Sequence, residues 1–216
     1  MQKLLTDRYE RMPWDEIDNV VYDIGNVLIR FDPAFMLDIL FPGEEELHAL
    51  LMRKIFQSPY WVMLDHGTCT VEEAAEAMTG TDTEIREEIL HTLMNWSDLT
   101  TAIPEGVQSM QEARTHGKKI FLLSNYNNTF FEAAEKRFDF LREPLIDGRV
   151  ISAYVGLLKP QPEMYRKLTD TYALEPSRTV FIDDAAVNAE GALHAGWQAI
   201  WNRAPGVLSS FMDFRL

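Results

Sequence analysis

The chain has 216 residues, 46% hydrophobic and 25% charged, the balance of an ordinary globular protein with one large domain or a core carrying a smaller insert. A formal net charge of −14 sets general repulsion against a polyanion such as nucleic acid, and no basic stripe reverses it. Cys69 is the single cysteine, which excludes an internal disulfide and a cysteine-rich zinc cluster, and no apolar run approaches the roughly 18 residues of a membrane helix.

At the N-terminus, MQKLLTDRYERMPWDE is charged within every turn and lacks the apolar stretch of a secretory signal, so a cytoplasmic protein is expected. Residues 19–24, NVVYDI, read as a buried strand that ends at a carboxylate and runs into a Gly25-Asn26 turn. From 33 to about 102 no strand is predicted. Thr70-Val71-Glu72-Glu73 and Thr81-Asp82-Thr83-Glu84 both fit a capping box, while Leu47, Leu50, Leu51 and Ile55, and then Ile85, Ile89, Leu90 and Leu93, form apolar helical faces. This predicts a small helical bundle inserted after the first strand and able to close over the sheet edge, with its Met, Phe and Trp residues forming mainly the bundle core.

Pro104 opens a helix with Val107, Met110 and Ala113 on one face, closed by Gly117. Residues 118–124, KKIFLLS, form a second strand ending at Ser124-Asn125. Pro162 opens another helix, residues 178–184, RTVFIDD, form a third strand ending in two aspartates, and 197–201, WQAIW, a fourth. Strands alternating with helices predict an α/β fold, a Rossmann-like parallel sheet covered on both faces, with ligands at the C-terminal ends of the strands. Three strands end in polar residues at that edge.

If those strands are neighbours, Asp23, Asp183 and Asp184 converge. Like charges about 4 Å apart repel by roughly 4 kcal/mol per pair at an effective dielectric near 20, so such a cluster persists only when protonated or bound to a cation. Oxygen ligands suit a hard cation, and Mg²⁺ is the one that readily keeps water and phosphate in its shell. Each aspartate alone would read as a helix N-cap. Lys159, in GLLKPQPEMY, follows an apolar run, so its stem can cross the core edge while the ammonium pairs with Asp23 or with phosphate. Ser124 and the backbone N–H groups after it face a helix beginning near Asn127, a phosphate-binding geometry.

The blocks YDIGNVL, FLLSN, LLKPQPEMY and VFIDD, in this order, resemble the four motifs of the haloacid-dehalogenase-like hydrolase superfamily. The resemblance covers about residues 19–202, including WVMLDHGTCTVEEAAEAM in the insert and the turn at Gly196-Trp197, and is greatest to cap-bearing sugar-phosphate phosphatases of the bacterial glucose-1-phosphatase-like kind. It implies a hydrolase core at 1–32 and 103–216 and a helical cap at 33–102. It further implies that Asp23 is the nucleophile that becomes an aspartyl-phosphate, and that Ser124 and Asn125 hydrogen-bond the phosphoryl oxygens. Lys159 would stabilise charge on nucleophile and phosphate. Asp184 would be a direct Mg²⁺ ligand together with Asp23 and the Gly25 carbonyl, Asp183 would act through a metal-bound water, and Asn188 would orient these carboxylates. The implied partner is a small phosphorylated substrate.

One position departs from the pattern. Most phosphatases of this family carry a general acid two residues after the nucleophile, where this chain has Gly25. General acid–base catalysis is worth about 10²–10⁴-fold. Either Asp32 or a cap residue such as His66 replaces the donor, or the substrate has a good leaving group, as a sugar 1-phosphate does. Two alternatives stay open at this point, a metal-independent 2-haloacid dehalogenase and a weakly catalytic phosphometabolite-binding protein.

Overall fold

The computed structural model describes residues 4–5 and 12–212. Most of the N-terminal stretch considered above for a secretory signal therefore lies outside the described residues. In chain order the strands are β1 (Leu4–Leu5), β2 (Asn19–Tyr22), β3 (Ile29–Arg30), β4 (Thr101–Ala102), β5 (Lys119–Ser124), β6 (Gly148–Ile151), β7 (Thr179–Asp183) and β8 (Gln198–Trp201). The α-helices are α1 (Pro33–Leu40), α2 (Glu45–Leu51), α3 (Pro59–His66), α4 (Val71–Thr79), α5 (Arg86–Asn95), α6 (Pro104–Thr115), α7 (Asn128–Arg137), α8 (Ser152–Val155), α9 (Pro162–Tyr172), α10 (Ala186–His194) and α11 (Val207–Phe211).

Six strands form a parallel sheet in the order β1-β8-β7-β2-β5-β6. The central strand β2, all four residues of which are buried, divides its side chains between the two faces. Val20 and Tyr22 join a core with α6, α7 and α11, whereas Val21 joins a second core with α9 and α10. Burying a side chain of this size stabilises by about 1.5–3 kcal/mol, so β2 is held from both sides. The chain leaves β2 towards β5 and β6, then crosses back to β7 and β8. That reversal makes a crevice at the carboxyl ends of β2, β5 and β7.

The helices α1–α5 lie between β3 and β4, which pair antiparallel through Ile29↔Ala102 and Arg30↔Thr101. Of this ladder, β4 lies inside the stretch where no strand was predicted, at its very end. The Thr70 capping box forms as predicted, with Glu73 N–H donating to Thr70 Oγ1 at 3.1 Å and Thr70 N–H to Glu73 Oε2 at 2.9 Å. The one predicted at Thr81 does not form. Residues Thr83–Ile85 wind first as a 3₁₀ turn, and α5 starts only at Arg86. β6 was not predicted either. Its sequence GRVI has only two buried residues and sits at the sheet's edge, so it lacks the apolar run of a central strand. Among the described residues no helix is long and apolar enough to cross a membrane.

Candidate active site

Strand register determines what converges in the crevice. Tyr22 pairs with both Leu122 and Ile182. Asp23, the next residue, therefore falls level with Asp183 on one side and is followed on the other by Ser124, the last residue of β5. Ligand atoms of Asp23, Asp183 and Asp184 all lie within 4.8 Å of one another, as their sequence positions predicted.

Each member is braced. Asp23 Oδ1 accepts from Ile24 N–H at 2.7 Å, from Ser124 Oγ at 2.7 Å and from Lys159 Nζ at 2.8 Å. Among the described residues no donor reaches Oδ2, so that oxygen is free for substrate or cation. Lys159 also donates to Asp183 Oδ2 at 2.7 Å, and its side chain is 1% exposed. Asp183 Oδ1 accepts from Ala185 N–H at 2.8 Å and from Asn188 Nδ2 at 3.1 Å, so Asn188 orients this carboxylate. Asp184 has a looser hold, Asn26 Nδ2 at 3.3 Å. Asn26 takes φ +52°, a left-handed conformation that asparagine tolerates, and its Oδ1 accepts from Phe31 N–H at 3.0 Å. The sequence reading passed over Asn26, whose place beside Gly25 in a tight turn was the available signal.

The loop after β5 is more fully occupied than predicted. Asn125 spends its side chain on the Lys159 backbone, accepting from Lys159 N–H at 2.8 Å and donating to Lys159 C=O at 3.0 Å. The Tyr126 N–H donates to Ser152 Oγ at 2.8 Å, and the Asn127 N–H faces the Asp65 carboxylate. Of the N–H groups following Ser124, that of Asn125 is left without an acceptor among the described residues. Asn125 thus has a backbone donor for an anion while its side chain holds the lysine loop in place.

Burial pushes the Asp23 carboxyl up to about 7, with Lys159 pulling the other way and Asp183 adding to the rise. Asp184 is also raised, first by burial and then by the Asp183 charge. Burial opposes the Lys159 ammonium, yet Asp183 and Asp23 outweigh it and its pKa is raised, so it stays charged. Three carboxylates then face one ammonium. A divalent cation would neutralise the surplus, and the donor set suits one. It comprises three carboxylates and the Gly25 carbonyl, which accepts no hydrogen bond among the described residues.

These groups open into a cavity of about 200 Å³. Its outer wall is aromatic, made by Phe31, Trp61, Trp96, Tyr126 and Phe130. Phe31 stacks on Trp61 at 5.6 Å between ring centroids, and Trp96 meets Phe130 edge-on at 4.9 Å. Part of the aromatic stripe expected to be bundle core is therefore cavity wall. Gly25 lies at its floor with φ outside the positive region, and a Cβ there would meet no atom within 4 Å. Neither substitute for the missing acid suggested by the sequence lines the cavity. The Asp32 side chain caps α1, accepting from Phe35 N–H at 3.2 Å. Asp65, one residue before His66, does line it.

A doubly covered parallel sheet with braced carboxylates at its switch point is the framework of a Rossmann-like α/β enzyme. The chain belongs to the haloacid dehalogenase-like hydrolase family, whose model matches residues 17–196. It is similar to a phosphatase of Mycobacterium tuberculosis, 26% identical over 114 residues covering 53% of this chain and 51% of that protein. It is also similar to the (S)-2-haloacid dehalogenase 4A of Burkholderia cepacia, 23% identical over 117 residues covering 54% of this chain and 50% of that one. The chain thus spans about half the length of these two relatives. Its fold is that of a HAD family enzyme from Bacteroides thetaiotaomicron in complex with magnesium and inorganic phosphate, at 22% identity and a TM-score of 0.64, with 85% of this chain and 92% of that one covered.

Proposed function

We propose that the protein is a Mg²⁺-dependent phosphatase of small phosphorylated metabolites, sugar phosphates above all, with residues 33–102 as a cap over a core of 1–32 and 103–216. The observation that carries this reading is the Asp183-Asp184 pair beside Asp23. A dehalogenase that works without metal has no use for two further carboxylates there, and leaving them unneutralised would be costly. The neighbouring fold described with magnesium and inorganic phosphate supports the same reading.

In this reading Asp23 attacks phosphorus through its free Oδ2 and becomes an aspartyl-phosphate, which water then hydrolyses. Lys159 Nζ and the Asn125 N–H are the donors fixed in place for the phosphoryl oxygens before substrate arrives, and Ser124 Oγ joins them by turning its proton from Asp23 Oδ1. Asp23, Asp184 and the Gly25 carbonyl would hold the metal, beside Asp183, which Asn188 and Lys159 keep in register. When bound, Mg²⁺ neutralises phosphoryl charge and aligns the ester for in-line displacement. The cavity is smaller than a drug-sized pocket and suits a small ester, and its aromatic wall can cover the apolar face of a sugar ring.

Release of inorganic phosphate from a panel of phosphorylated sugars and nucleotides is expected to require Mg²⁺. Ca²⁺ should support it poorly, since it takes more ligands at longer distances. Turnover unchanged in excess chelator would remove the metal from the mechanism and favour the dehalogenase, which halide release from a 2-haloacid would then reveal.

A further inference from the structure

Gly25 brings no proton donor, Asp32 is spent as a helix cap, and His66 lies outside the cavity. One carboxyl does share the cavity with Asp23, Ser124 and Lys159 without belonging to their cluster. This is Asp65, at the C-terminal end of α3.

Three contacts tie that helix end to the loop after β5 and to α8, which follows β6 directly. Asn127 Nδ2 donates to the Leu64 carbonyl at 3.1 Å, and Ser152 Oγ donates to the Asp65 carbonyl. Gly67 has φ +78°, and a Cβ there would sit 2.4 Å from the Ala153 carbonyl oxygen, so only glycine permits this approach. The Asn127 backbone N–H also faces the Asp65 carboxylate. Its position is therefore set by the loop that follows Ser124 rather than by the inserted helices alone.

A carboxylate in the last turn of a helix also opposes the helix dipole, an arrangement that local stability would not favour. Such conflicts between local preference and position concentrate at functional sites.

We propose that Asp65 is the general acid that protonates the leaving oxygen and then the general base that activates the hydrolytic water. The proposal rests on the phosphatase reading. In the first step Asp23 Oδ2 bonds to phosphorus, the ester P–O bond breaks, and the leaving oxygen takes the Asp65 proton with its electron pair. In the second, the Asp65 carboxylate takes a proton from water as the water oxygen bonds to phosphorus. The P–O bond to Asp23 breaks, its electron pair returns to the Asp23 carboxylate, and Asp65 is again protonated.

The groups whose charges act on Asp65 from the surrounding elements are Asp23 and Lys159, and the Tyr126 hydroxyl feels the Asp65 charge in turn. Burial raises Asp65 to about 7, the Asn127 N–H opposes the rise, Asp23 adds to it, and Lys159 opposes it. A carboxyl poised there is available in both protonation states near neutral pH, and its neutral form does not repel a phosphate dianion.

The test compares wild type with Asp65→Asn and Asp65→Glu on phosphate monoesters of graded leaving-group pKa in Mg²⁺. The amide of Asp65→Asn keeps an oxygen for the Asn127 N–H, so its melting temperature should stay near that of wild type. In wild type, the rate of phosphoryl transfer to Asp23 is expected to depend little on the leaving group. In Asp65→Asn, alkyl esters should lose about 10²–10⁴-fold. An aryl phosphate should lose little in its first step and instead give a burst of one phenolate per enzyme followed by slow turnover, because the base is gone. The decline of alkyl-ester kcat above about pH 7 should disappear in the same variant. Asp65→Glu should recover part of the loss. A uniform loss across all esters without a burst, or no loss at all, overturns the proposal. If wild type releases no phosphate from any ester, the phosphatase reading falls and takes this proposal with it.

Discussion

Asp23→Asn is expected to abolish phosphate release, lowering kcat by about 10⁴-fold or more, the scale of losing a covalent nucleophile. The amide is close to isosteric and keeps an oxygen to accept from Ser124 and the Ile24 N–H, so the fold should persist. Stability should move the opposite way from activity. The Asp23 carboxyl is raised to about 7 in the folded chain, chiefly by burial, so folding favours its protonated form. The stability linked to that proton is complete below the unfolded carboxyl pKa and is lost as pH rises through the folded one. Asparagine has no such loss. In chelator at pH 8 the variant should therefore melt above wild type, and excess Mg²⁺ should reverse the order by stabilising the intact cluster. Phosphate release near the wild-type rate would mean that another group attacks phosphorus.

Lys159→Met should be the most damaging change in the cluster for stability. The ammonium lies 2.8 Å from Asp23 and 2.7 Å from Asp183 with its side chain almost wholly buried, and methionine replaces its bulk without its charge. Stranding buried charges in this way costs about 3–5 kcal/mol. Without the lysine the Asp23 carboxyl gains affinity for protons, so its folded pKa rises further above the unfolded value. The loss should then be greatest at pH 8 and shrink as pH falls and a proton takes the lysine's place. Mg²⁺ should recover part of it at fixed pH. Activity should fall by about 10²–10³-fold even with metal, the usual cost of removing one fixed donor to developing charge. Urea unfolding at two pH values, with and without Mg²⁺, measures all of this. Equal stability of variant and wild type at pH 8 in chelator would contradict the pairing.

The cluster was legible in the sequence because parallel strands carry little ambiguity about their ends. NVVYD, FLLS and VFIDD each put an apolar run before a polar terminus, and register then delivers Asp23, Ser124 and Asp183 to one edge. Lys159 was legible for a related reason, an apolar run leading to a lysine just before a helix. Three features were not. The pairing of the Asn125 side chain with the Lys159 backbone depends on two loops 34 residues apart meeting, which no local pattern encodes. The Thr81 box obeys its spacing rule, but the 3₁₀ turn at Thr83–Ile85 comes before the helix and leaves the rule nothing to cap. Asp65 was missed in favour of its neighbour His66, since helical periodicity does not tell which end of α3 docks on the core. Its one local signal was an acidic side chain in the last turn of a helix, two residues before a glycine.

The most direct test of Asp23 as nucleophile is to trap the phosphoryl group on the chain. Wild type mixed with a phosphoryl-labelled sugar 1-phosphate and Mg²⁺, then quenched in acid within a turnover, should carry label on the peptide containing Asp23. That label should be discharged by hydroxylamine, as an acyl phosphate is, and be absent from Asp23→Asn and from the chelated enzyme. Phosphate release at full rate with no label on the chain, or with the label mapped to any other residue, would contradict covalent catalysis at Asp23.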